Sequence, residues 1–398
     1  MKNSNAYKKT VHNKGLLSLT NKEINMEKRL FGKTGIETSV LGFGGFHLCE
    51  IPYEKADQLL NAYLDKGGTY VETAPSYGKG ESEIKIGRAI AHRRKEYTLV
   101  TKAHDREYET CKATFEQSLK NLKTDYVDVL LMHAVDSLET LDKILGEGGA
   151  IYAAEEAKRE GKVKHIGISM HGQPDVLIEA LKRYPFEAVM TTINYYDVCN
   201  FPKLLKELVP LAKEKGAAII LMKPLGDGYL YKSVEQAFNY VFNQDVSIVV
   251  TGMNTLQMLE KDFDMAENYI TITDEWLEIL FRDAVELGDY VCRQCGKCMP
   301  CPEGVDITGI FALEGIFDRQ MTRGEVENSA EYALSERLKN WFGTQERAIK
   351  EYAEKEDDVS RCTGCGLCNS ICPYGIDVIK KLKWVDYKLQ PEFGRIWE

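Results

Sequence analysis

The sequence lacks features that would each have indicated a different class of protein. None of its apolar runs approaches the ~18 residues that a membrane-spanning helix requires, and we recognise no signal peptide. Basic residues are in the minority, with 51 Lys and Arg against 61 Asp and Glu and a formal net charge of −10. Because nucleic acids and anionic membrane surfaces attract basic patches, we expect neither as a partner. We expect a soluble, cytoplasmic protein.

A glycine fingerprint for dinucleotide binding is also missing. No Gly-x-Gly-x-x-Gly follows the first predicted strand, although that motif marks one common kind of open, doubly wound sheet. Apolar β-runs alternate with amphipathic helical stretches instead, which is typical of a parallel sheet. The β-runs lie near 40–44, 69–73, 97–102, 126–133, 164–169, 188–194, 218–223 and 247–251. Eight such units predict a closed (β/α)8 TIM barrel rather than the doubly wound alternative, with an active site at the carboxyl ends of the strands.

The alternation ends near residue 270 and divides the 398-residue chain into domains. Residues 26–272 are predicted to form the barrel, and residues 273–398 a smaller, mostly helical domain. Residues 1–25 are polar with little periodicity, so we expect a flexible arm there, or translation that begins at Met26. Helical patterns occupy 274–288, much of the charged stretch 303–361, and part of 374–398.

Four polar side chains stand where three successive β-runs end. Glu72 closes the second β-run, Tyr77 follows it in a turn, and Lys102 and His133 close the third and fourth. The carboxyl ends of parallel strands meet at one end of a barrel, so these four groups are expected to form an active site there. The alternative is that they are ordinary polar residues at strand ends, in a barrel that has lost its chemistry.

Eight of the eleven cysteines fall in two short groups, while Cys49, Cys111 and Cys199 are scattered and are expected to be small core residues. The groups are Cys292-x2-Cys295-x2-Cys298-x2-Cys301-Pro302 and Cys362-x2-Cys365-x2-Cys368-x3-Cys372-Pro373. Clustered cysteines in a cytosolic chain indicate metal ligands rather than disulfides. The second group has the bacterial ferredoxin spacing for a [4Fe–4S] cluster, and the first is one residue shorter before its last cysteine.

Two [4Fe–4S] clusters are therefore predicted, with two zinc sites as the alternative, although zinc sites more often use two separated cysteine pairs. In two-cluster ferredoxins the fourth cysteine of each run binds the other cluster. On that pattern one cluster is expected to be held by Cys292, Cys295, Cys298 and Cys372, and the other by Cys301, Cys362, Cys365 and Cys368.

With these residues in place the sequence resembles the aldo-keto reductases, specifically the branch that carries a C-terminal ferredoxin-like domain. The resemblance covers about residues 27–270 for the reductase part and 290–375 for the iron–sulfur part. The matching stretches are Arg29-Leu30-Phe31-Gly32-Lys33-Thr34-Gly35, Glu72-Thr73-Ala74, Tyr77-Gly78, Ser82-Glu83, Thr101-Lys102, His133, Gly167-Ile168-Ser169, Asn194 and Lys223-Pro224-Leu225-Gly226. Any one of them alone would be a weak signal.

The resemblance implies a role for each of the four polar residues. Tyr77 would protonate a carbonyl oxygen as hydride reaches the carbon, and Lys102 would lower the phenol pKa from its usual value near 10. His133 would orient the substrate carbonyl. The family has aspartate where this chain has Glu72, and the longer side chain is expected either to displace Lys102 or to fold back.

NADPH or NADH is the cofactor that the resemblance implies. The positions for the nicotinamide carboxamide, the pyrophosphate loop and the adenosine phosphate are Ser169, Asn194, Lys223, Pro224, Leu225, Gly226, Gly252 and Asn254. No arginine occurs from 252 to 270, and Lys261-Asp262 replaces the family's Glu-Asn pair. A 2′-phosphate prefers a cationic partner, so the choice between NADP and NAD stays open. His104 and His171 follow strand ends and either line the substrate pocket or lie at the surface.

Three functions are compatible with these features. The first is an oxidoreductase that reduces a small carbonyl compound or oxidises an alcohol while two clusters relay electrons, with ferredoxin or another electron carrier as a candidate partner. Hydride carries two electrons and a cluster one, and we find no flavin motif to join them. The second is a nicotinamide-dependent reductase with structural clusters. The third is a redox sensor whose barrel binds nucleotide without turnover.

Overall fold

The eight predicted β-runs form a closed barrel of parallel strands. The computed structural model describes residues 26–171, 174–318 and 345–391. Two short strands, β1 (Lys28–Leu30) and β2 (Glu37–Ser39), precede the barrel. The barrel strands are β3 (Leu41–Gly44), β4 (Tyr70–Glu72), β5 (Thr98–Ala103), β6 (Val127–Met132), β7 (Val163–Ser169), β8 (Ala188–Thr192), β9 (Ala218–Met222) and β10 (Ile248–Gly252). The prediction of a barrel is confirmed, and the doubly wound alternative is excluded.

The barrel closes through β10, which pairs in parallel with both β9 and β3. Every described barrel strand is buried along most of its length, because its inner face packs in the barrel and its outer face packs against helices. This two-sided burial explains why the sequence shows continuous apolar runs rather than alternation. The inner core is made of Phe31, Tyr70, Val100, Val129, Leu131, Ala188, Met190, Ala218, Ile220, Met222, Ile248 and Val250.

Helices connect the strands on the outside of the barrel. They are α1 (Tyr53–Asp65), α2 (Glu81–Ile90), α3 (Tyr108–Leu122), α4 (Leu138–Leu145), α5 (Ala150–Arg159), α6 (Pro174–Arg183), α7 (Tyr195–Asn200), α8 (Val209–Lys215), α9 (Val234–Phe242) and α10 (Leu256–Asn268). The short helix α7 begins at an Asn194 cap, whose Oδ1 accepts hydrogen bonds from the backbone N–H groups of Tyr196 and Asp197. It carries the chain from β8 toward the C-terminal region.

A hairpin that the sequence did not reveal covers the amino-terminal end of the barrel. Strands β1 and β2 pair antiparallel, and Phe31, just after β1, is fully buried in the inner core. The guanidinium of Arg29 donates to the carbonyl oxygens of Phe242 (2.7 Å) and Val246 (3.2 Å). The amino-terminal end is thereby filled, which leaves the carboxyl ends of the strands as the site for ligands.

The C-terminal region is helical, as predicted, and packs against the barrel. It contains α11 (Asp274–Asp283), α12 (Ile307–Asp318), α13 (Gln345–Ala353), α14 (Leu367–Ile371) and α15 (Val378–Lys388). Helix α12 contacts α13, α15 and, on the barrel side, α7. Helix α11 ends earlier than the predicted 274–288, and α15 accounts for the helix that was predicted in part of 374–398. Residues 1–25, 319–344 and 392–398 lie outside the described residues.

In the part of the chain that the structure describes, no helix is long and apolar enough to cross a membrane.

Candidate functional site

The four predicted catalytic side chains meet at the carboxyl ends of β4, β5 and β6. The ammonium of Lys102 lies at the centre: its Nζ donates to the hydroxyl of Tyr77 (2.9 Å), to the carbonyl oxygen of Thr73 (3.0 Å), and to the Oε2 atom of Glu72. The edge of the His133 ring faces Tyr77, with the ring centroids 6.0 Å apart. All of these groups except Tyr77 are almost completely buried.

Glu72 reaches Lys102 without displacing it. Its carboxylate pairs with Nζ, which keeps its hydrogen bond to Tyr77. Of the two outcomes expected for the extra methylene group, displacement of Lys102 therefore does not occur in the described geometry. Burial opposes the charged form of Lys102, but the negative charges of Glu72 and Tyr77 outweigh it and raise the lysine pKa. Burial in turn raises the pKa of the Glu72 carboxyl, against the opposing effect of Lys102.

The pKa of Tyr77 moves in the direction opposite to the one expected. Burial, followed by the negative charge of Glu72, raises the phenol pKa to about 12, although Lys102 acts to lower it. The effect of Lys102 on the phenol pKa has the expected direction, but the sequence does not show how deeply the Tyr77 hydroxyl is buried. Tyr77 therefore holds its proton at neutral pH, so it can donate that proton to a bound acceptor.

The imidazole of His133 is held in its neutral form. Burial, followed by the positive charge of Lys102, lowers its pKa well below the usual value. Among the described residues its buried Nδ1 atom has no hydrogen-bond partner. The backbone is fixed by Arg106, whose Nη1 donates to the His133 carbonyl oxygen at 2.8 Å. A neutral ring with an unused nitrogen can accept or donate one hydrogen bond to a ligand.

A chain of buried hydroxyls holds the loop that carries Tyr77. Thr73 Oγ1 donates to Ser82 Oγ (2.8 Å), which donates to the carbonyl oxygen of Gly45 (2.8 Å). Gly78 has a positive φ of 59°, and a Cβ there would lie 2.8 Å from the Cys49 sulfur. Glycine is therefore needed directly after Tyr77, since an L-residue would be strained and crowded. The loop is rigid enough to place the phenol.

A cavity opens beside Tyr77 and runs across the carboxyl end of the barrel. Its cavity volume is about 140 Å³, and it is open to solvent on one side. Its lining is Gly44, Phe46, His47, Glu72, Tyr77, His171, Met190, Met222, Lys223, Pro224, Leu225, Asp227, Gly228, Phe238, Val250, Thr251, Gly252 and Asp262. Of the four predicted catalytic residues, Glu72 and Tyr77 lie on this wall, together with residues at the end of β10.

The predicted nucleotide-binding residues are not all on the cavity wall. Lys223, Pro224, Leu225 and Gly252 line it, and the ammonium of Lys223 pairs with Asp227 at 2.8 Å. Gly226, with a positive φ of 56°, turns the loop that follows β9.

The remaining predicted nucleotide residues bond within the protein. Ser169 Oγ donates to the Met132 carbonyl oxygen (3.3 Å) and accepts from the Ala134 N–H (3.2 Å). Asn194 Nδ2 donates to the carbonyl oxygen of Lys223 (3.1 Å), so Asn194 positions the lining loop. Asn254 donates to Glu50 at 3.2 Å.

The far wall of the cavity contains a buried carboxyl group. Asp262 on α10 is 2% exposed, and among the described residues its Oδ1 has no hydrogen-bond partner. Burial raises its pKa to about 7. Near this wall, His47 pairs with Glu50 at 2.8 Å. No arginine is among the described lining residues, which agrees with the sequence-based doubt about a 2′-phosphate.

Sequence reasoning missed the first loop of the barrel. Phe46 and His47 follow β3 and line the cavity, and the Phe46 ring packs edge-on against Tyr77 with centroids 5.1 Å apart. The only available signal was their position after the first predicted strand. Of the two histidines singled out, His171 lines the cavity, and the His104 ring lies 5.6 Å from His133.

The eight clustered cysteines surround two small cavities in the C-terminal region. One cavity, which we call the proximal cavity, is lined by Cys292, Cys295, Cys298 and Cys372. The other, which we call the distal cavity, is lined by Cys301, Cys362, Cys365 and Cys368, and Cys298 also lies on the wall of the distal cavity. Each cavity thus combines three thiols of one run with the last thiol of the other, in the expected exchange. A donor set of four thiols around an enclosed space fits an iron–sulfur cluster.

Comparison with known proteins agrees with this architecture. The model of the aldo/keto reductase family matches residues 40–279, and that of a 4Fe-4S dicluster domain matches residues 289–376. The chain belongs to the aldo/keto reductase family of oxidoreductases and carries a 4Fe-4S dicluster domain after its barrel.

Several relatives are similar over the barrel. The chain is 31% identical to L-galactose dehydrogenase of Arabidopsis thaliana over an alignment of 309 residues. The alignment covers 66% of this chain and 93% of that protein. It is 24% identical to pyridoxal 4-dehydrogenase of Microbacterium luteolum, over 54% of this chain and 75% of that one. Among solved structures, an aldo-keto reductase from Bacillus halodurans in its holo form superposes with a TM-score of 0.56 at 25% identity, over 64% of this chain and 94% of that chain.

Proposed function

We propose that the protein is a nicotinamide-dependent oxidoreductase that interconverts a small carbonyl compound and its alcohol in the barrel. The observation that carries this proposal is the Glu72–Lys102–Tyr77 chain, which ends at the wall of the cavity across the carboxyl end of the barrel. The dehydrogenase names of the two relatives support the reaction type but not the substrate. For the substrate we propose only the reacting group, which is an uncharged carbonyl of a small molecule or the corresponding alcohol.

Proton transfer is the step that the chain's own residues perform. Tyr77 is protonated at neutral pH because burial raises its pKa, so its hydroxyl can give a proton to a carbonyl oxygen that becomes negatively charged. Lys102, 2.9 Å from that hydroxyl, stabilises the phenolate that remains. Glu72 keeps the ammonium charged and in place. His133 presents its neutral ring to the same oxygen and fixes its position.

A bound nicotinamide would supply the hydride for this reaction. The residues that would hold it are those of the cavity wall after β9 and β10, namely Lys223, Pro224, Leu225 and Gly252. We propose NADH rather than NADPH as the preferred form. The cavity wall offers the carboxyl of Asp262, and Glu50 lies next to Asn254; negative charge at these positions disfavours a 2′-phosphate.

We propose that Cys292, Cys295, Cys298 and Cys372 hold one [4Fe–4S] cluster, and Cys301, Cys362, Cys365 and Cys368 a second. A cluster would supply one-electron chemistry or structural support at each site. Cys365, in the turn before α14, is exposed, and this favours electron exchange with an external one-electron carrier such as a ferredoxin. The 26–272 and 273–398 boundaries are proposed as the limits of the two units.

Replacement of Tyr77 by phenylalanine tests the barrel chemistry. Loss of a general acid is expected to lower kcat by about 10²- to 10⁴-fold, while NADH affinity, measured by the quenching of protein fluorescence, stays within about twofold. The control is Tyr152→Phe, at an exposed tyrosine outside the cavity. If Tyr77→Phe protein retains full turnover of a substrate that the wild type reduces, the proposed proton donor is wrong.

A titration of anaerobically purified protein with NADH and NADPH tests the connection between barrel and clusters. Bleaching of the visible iron–sulfur absorption by NADH would support electron relay, whereas binding without bleaching would support structural clusters or an external donor. Binding of neither nucleotide would contradict the proposed cofactor. Iron and acid-labile sulfide are expected at about eight atoms each per chain, since each cubic cluster has four of both.

A further inference from the structure

The proximal and distal cavities differ in the charge of their walls. Besides its thiols, the proximal cavity is lined by Arg293 and Lys297, and no acidic residue occurs among its described lining residues. The distal cavity is lined by Glu303, and neither lysine nor arginine occurs among its described lining residues. Arg361 lies near the distal cavity, about 3 Å from where a Cβ of Gly304 would be, but it is exposed to solvent.

The guanidinium of Arg293 is the strongest element of this asymmetry because it is buried. Arg293 is 8% exposed. It donates to the backbone carbonyl oxygens of Val291 (2.6 Å) and Phe281 (3.0 Å), and also to that of Gly288. Within the described ranges its hydrogen-bond partners are carbonyl groups rather than carboxylates, so its positive charge is oriented but not neutralised. Carbonyl dipoles hold a cation in place at a fixed distance from its neighbours.

The charge of Arg293 acts on the proximal thiols. Arg293 lies on the wall of the same cavity as Cys292 and Cys372, one from each cysteine run, and the guanidinium lies over the Tyr374 ring at 5.1 Å. The backbone N–H of Gln294 donates to the Cys292 sulfur at 3.4 Å. A positive charge and an N–H donor both favour extra negative charge on the thiolate-bound group.

The proximal cavity is also the one that lies beside the barrel. Cys199 on α7 is 2% exposed, and its thiol lies within electrostatic reach of both Cys292 and Arg293. Helix α12, which lines the proximal cavity through Thr308 and Phe311, packs directly against α7. Gln294 and Thr308, next to the proximal thiols, line a groove together with Asn200 and Phe201 of the barrel.

We propose that Arg293 raises the reduction potential of the proximal cluster above that of the distal cluster. One electron from a low-potential, one-electron carrier would then reside at the cluster beside the barrel, the carrier being oxidised by one electron and the cluster reduced by one. The physical basis is that cluster potentials respond to net charge, to hydrogen bonds to sulfur and to solvent exposure. The low dielectric around a buried cation strengthens its effect. This inference rests on the ligand sets of the proposed function.

An anaerobic redox titration of the full-length holoprotein, followed by electron paramagnetic resonance, tests the proposal. The wild type is expected to show two midpoint potentials. Arg293→Gln is expected to lower the higher one by at least tenfold in the reduction equilibrium constant, or about 59 mV for one electron, and to leave the lower one nearly unchanged. Arg293→Lys keeps the charge and is expected to shift it by less. Equal shifts of both potentials, or no shift, would overturn the proposal.

A second pair of variants keeps the test decisive if Arg293→Gln protein does not fold. Cys295→Ser and Cys365→Ser each change one ligand of one cavity while Arg293 remains. The higher-potential signal is expected to change in Cys295→Ser protein and the lower one in Cys365→Ser protein, and the reverse assignment would refute the proposed order. Glu303→Gln is the matched charge control and is expected to raise the lower potential. Protein that lacks iron and sulfide altogether would instead contradict the proposed clusters themselves.

Discussion

At the scale of single residues, the described site depends on two buried charges that stabilise each other. The side chains of Glu72 and Lys102 are 5% and 2% exposed, and they form an ion pair. A buried charge that loses its partner is costly, by about 3–5 kcal/mol, whereas replacement of the whole pair by apolar groups is often tolerated. Loss of either charge is therefore expected to affect both the stability of the barrel and the proposed proton transfer by Tyr77.

Glu72→Gln is expected to lower the free energy of unfolding of the barrel by about 3–5 kcal/mol and to lower kcat. It leaves the Lys102 ammonium buried without a carboxylate. The double variant Glu72→Met with Lys102→Met is expected to regain much of the stability and to stay inactive. Thermal unfolding and steady-state kinetics on the same samples separate the two effects. A single variant as stable as the wild type would contradict the role given to this ion pair.

Asp262 gives the barrel a pH-dependent stability. Its pKa rises from 3.8 to about 7 on folding because of burial, so the folded protein keeps a proton that the unfolded chain releases. Below pH ~4 both states are protonated and no stability is lost. As the pH rises from about 4 to 7, folding is penalised by up to about 1.4 kcal/mol per pH unit, and the penalty is constant above that window.

Asp262→Asn is therefore expected to be stabilised relative to the wild type progressively from about pH 4 to pH 7, and by a constant amount at higher pH. The measurement is the difference in melting temperature between the two proteins across that range. Asp264→Asn, on the same helix but not on the cavity wall, is the control and should show a nearly constant difference. A difference that is flat for Asp262→Asn would mean that the carboxyl is solvated in solution.

The sequence predicted the positions of single residues better than their properties. Glu72, Lys102 and His133 could be placed together because parallel strands end at one face of a barrel, and the described geometry has them in contact. The raised pKa of Tyr77 could not be predicted, because it depends on how completely the surrounding loops exclude water. Phe46 and His47 were missed for a related reason, since loop side chains carry no periodic signal.

At the scale of elements, the helices and strands with strong patterns were predicted and the short ones were not. All eight barrel strands gave apolar runs because both of their faces are buried. Strands β1 and β2 have three residues each and are partly exposed, so neither produces a run. The hairpin is defined by long-range contacts, such as those of Arg29 with Phe242, which no local window contains.

The contact between α7 and α12 is one of the contacts that join the barrel to the C-terminal region. Gly315 on α12 faces Asn200 at the end of α7, and a Cβ at Gly315 would lie 2.6 Å from the Asn200 Oδ1 atom and 2.8 Å from its Cβ. Close approach of the two helices therefore requires glycine at this position.

Gly315→Val is expected to separate α12 from α7 and to lower the stability of the C-terminal domain by about 1–3 kcal/mol, as is usual for overpacking. Limited proteolysis should cleave the variant faster in the C-terminal region than in the barrel. Ala312→Ser, at a half-buried position of the same helix, is the matched control. Unchanged proteolysis of Gly315→Val protein would mean that the helices tolerate a wider spacing.

At the scale of the whole molecule, the barrel and the cluster domain are mechanically connected. The proximal cavity is walled by α12, and α12 packs on α7. Asn194, which caps α7, holds the carbonyl of Lys223 in the loop that lines the cavity beside Tyr77. A continuous set of contacts therefore joins the thiols to the ligand site.

Removal of the clusters by a chelator and an oxidant is expected to loosen α7 in addition to the cysteine loops. Hydrogen exchange followed by mass spectrometry should show faster exchange of the α7 amides in the treated protein. Helix α3, packed on α2 and α5 away from the cysteine region, should exchange at the same rate in both samples. Equal exchange of α7 before and after treatment would show that the two domains are energetically independent.

The contact between α7 and α12 has a practical consequence for any screen of this protein for substrates. Iron–sulfur centres of this kind are readily lost in air when their ligands lie near solvent, and Cys295 and Cys365 are both exposed. In protein purified in air, α7 would then have lost its packing against an intact cluster domain, and the cavity loop that the α7 cap holds would be less well supported. A substrate list collected from such material would describe a damaged catalyst, so the atmosphere of the purification is itself an experimental variable.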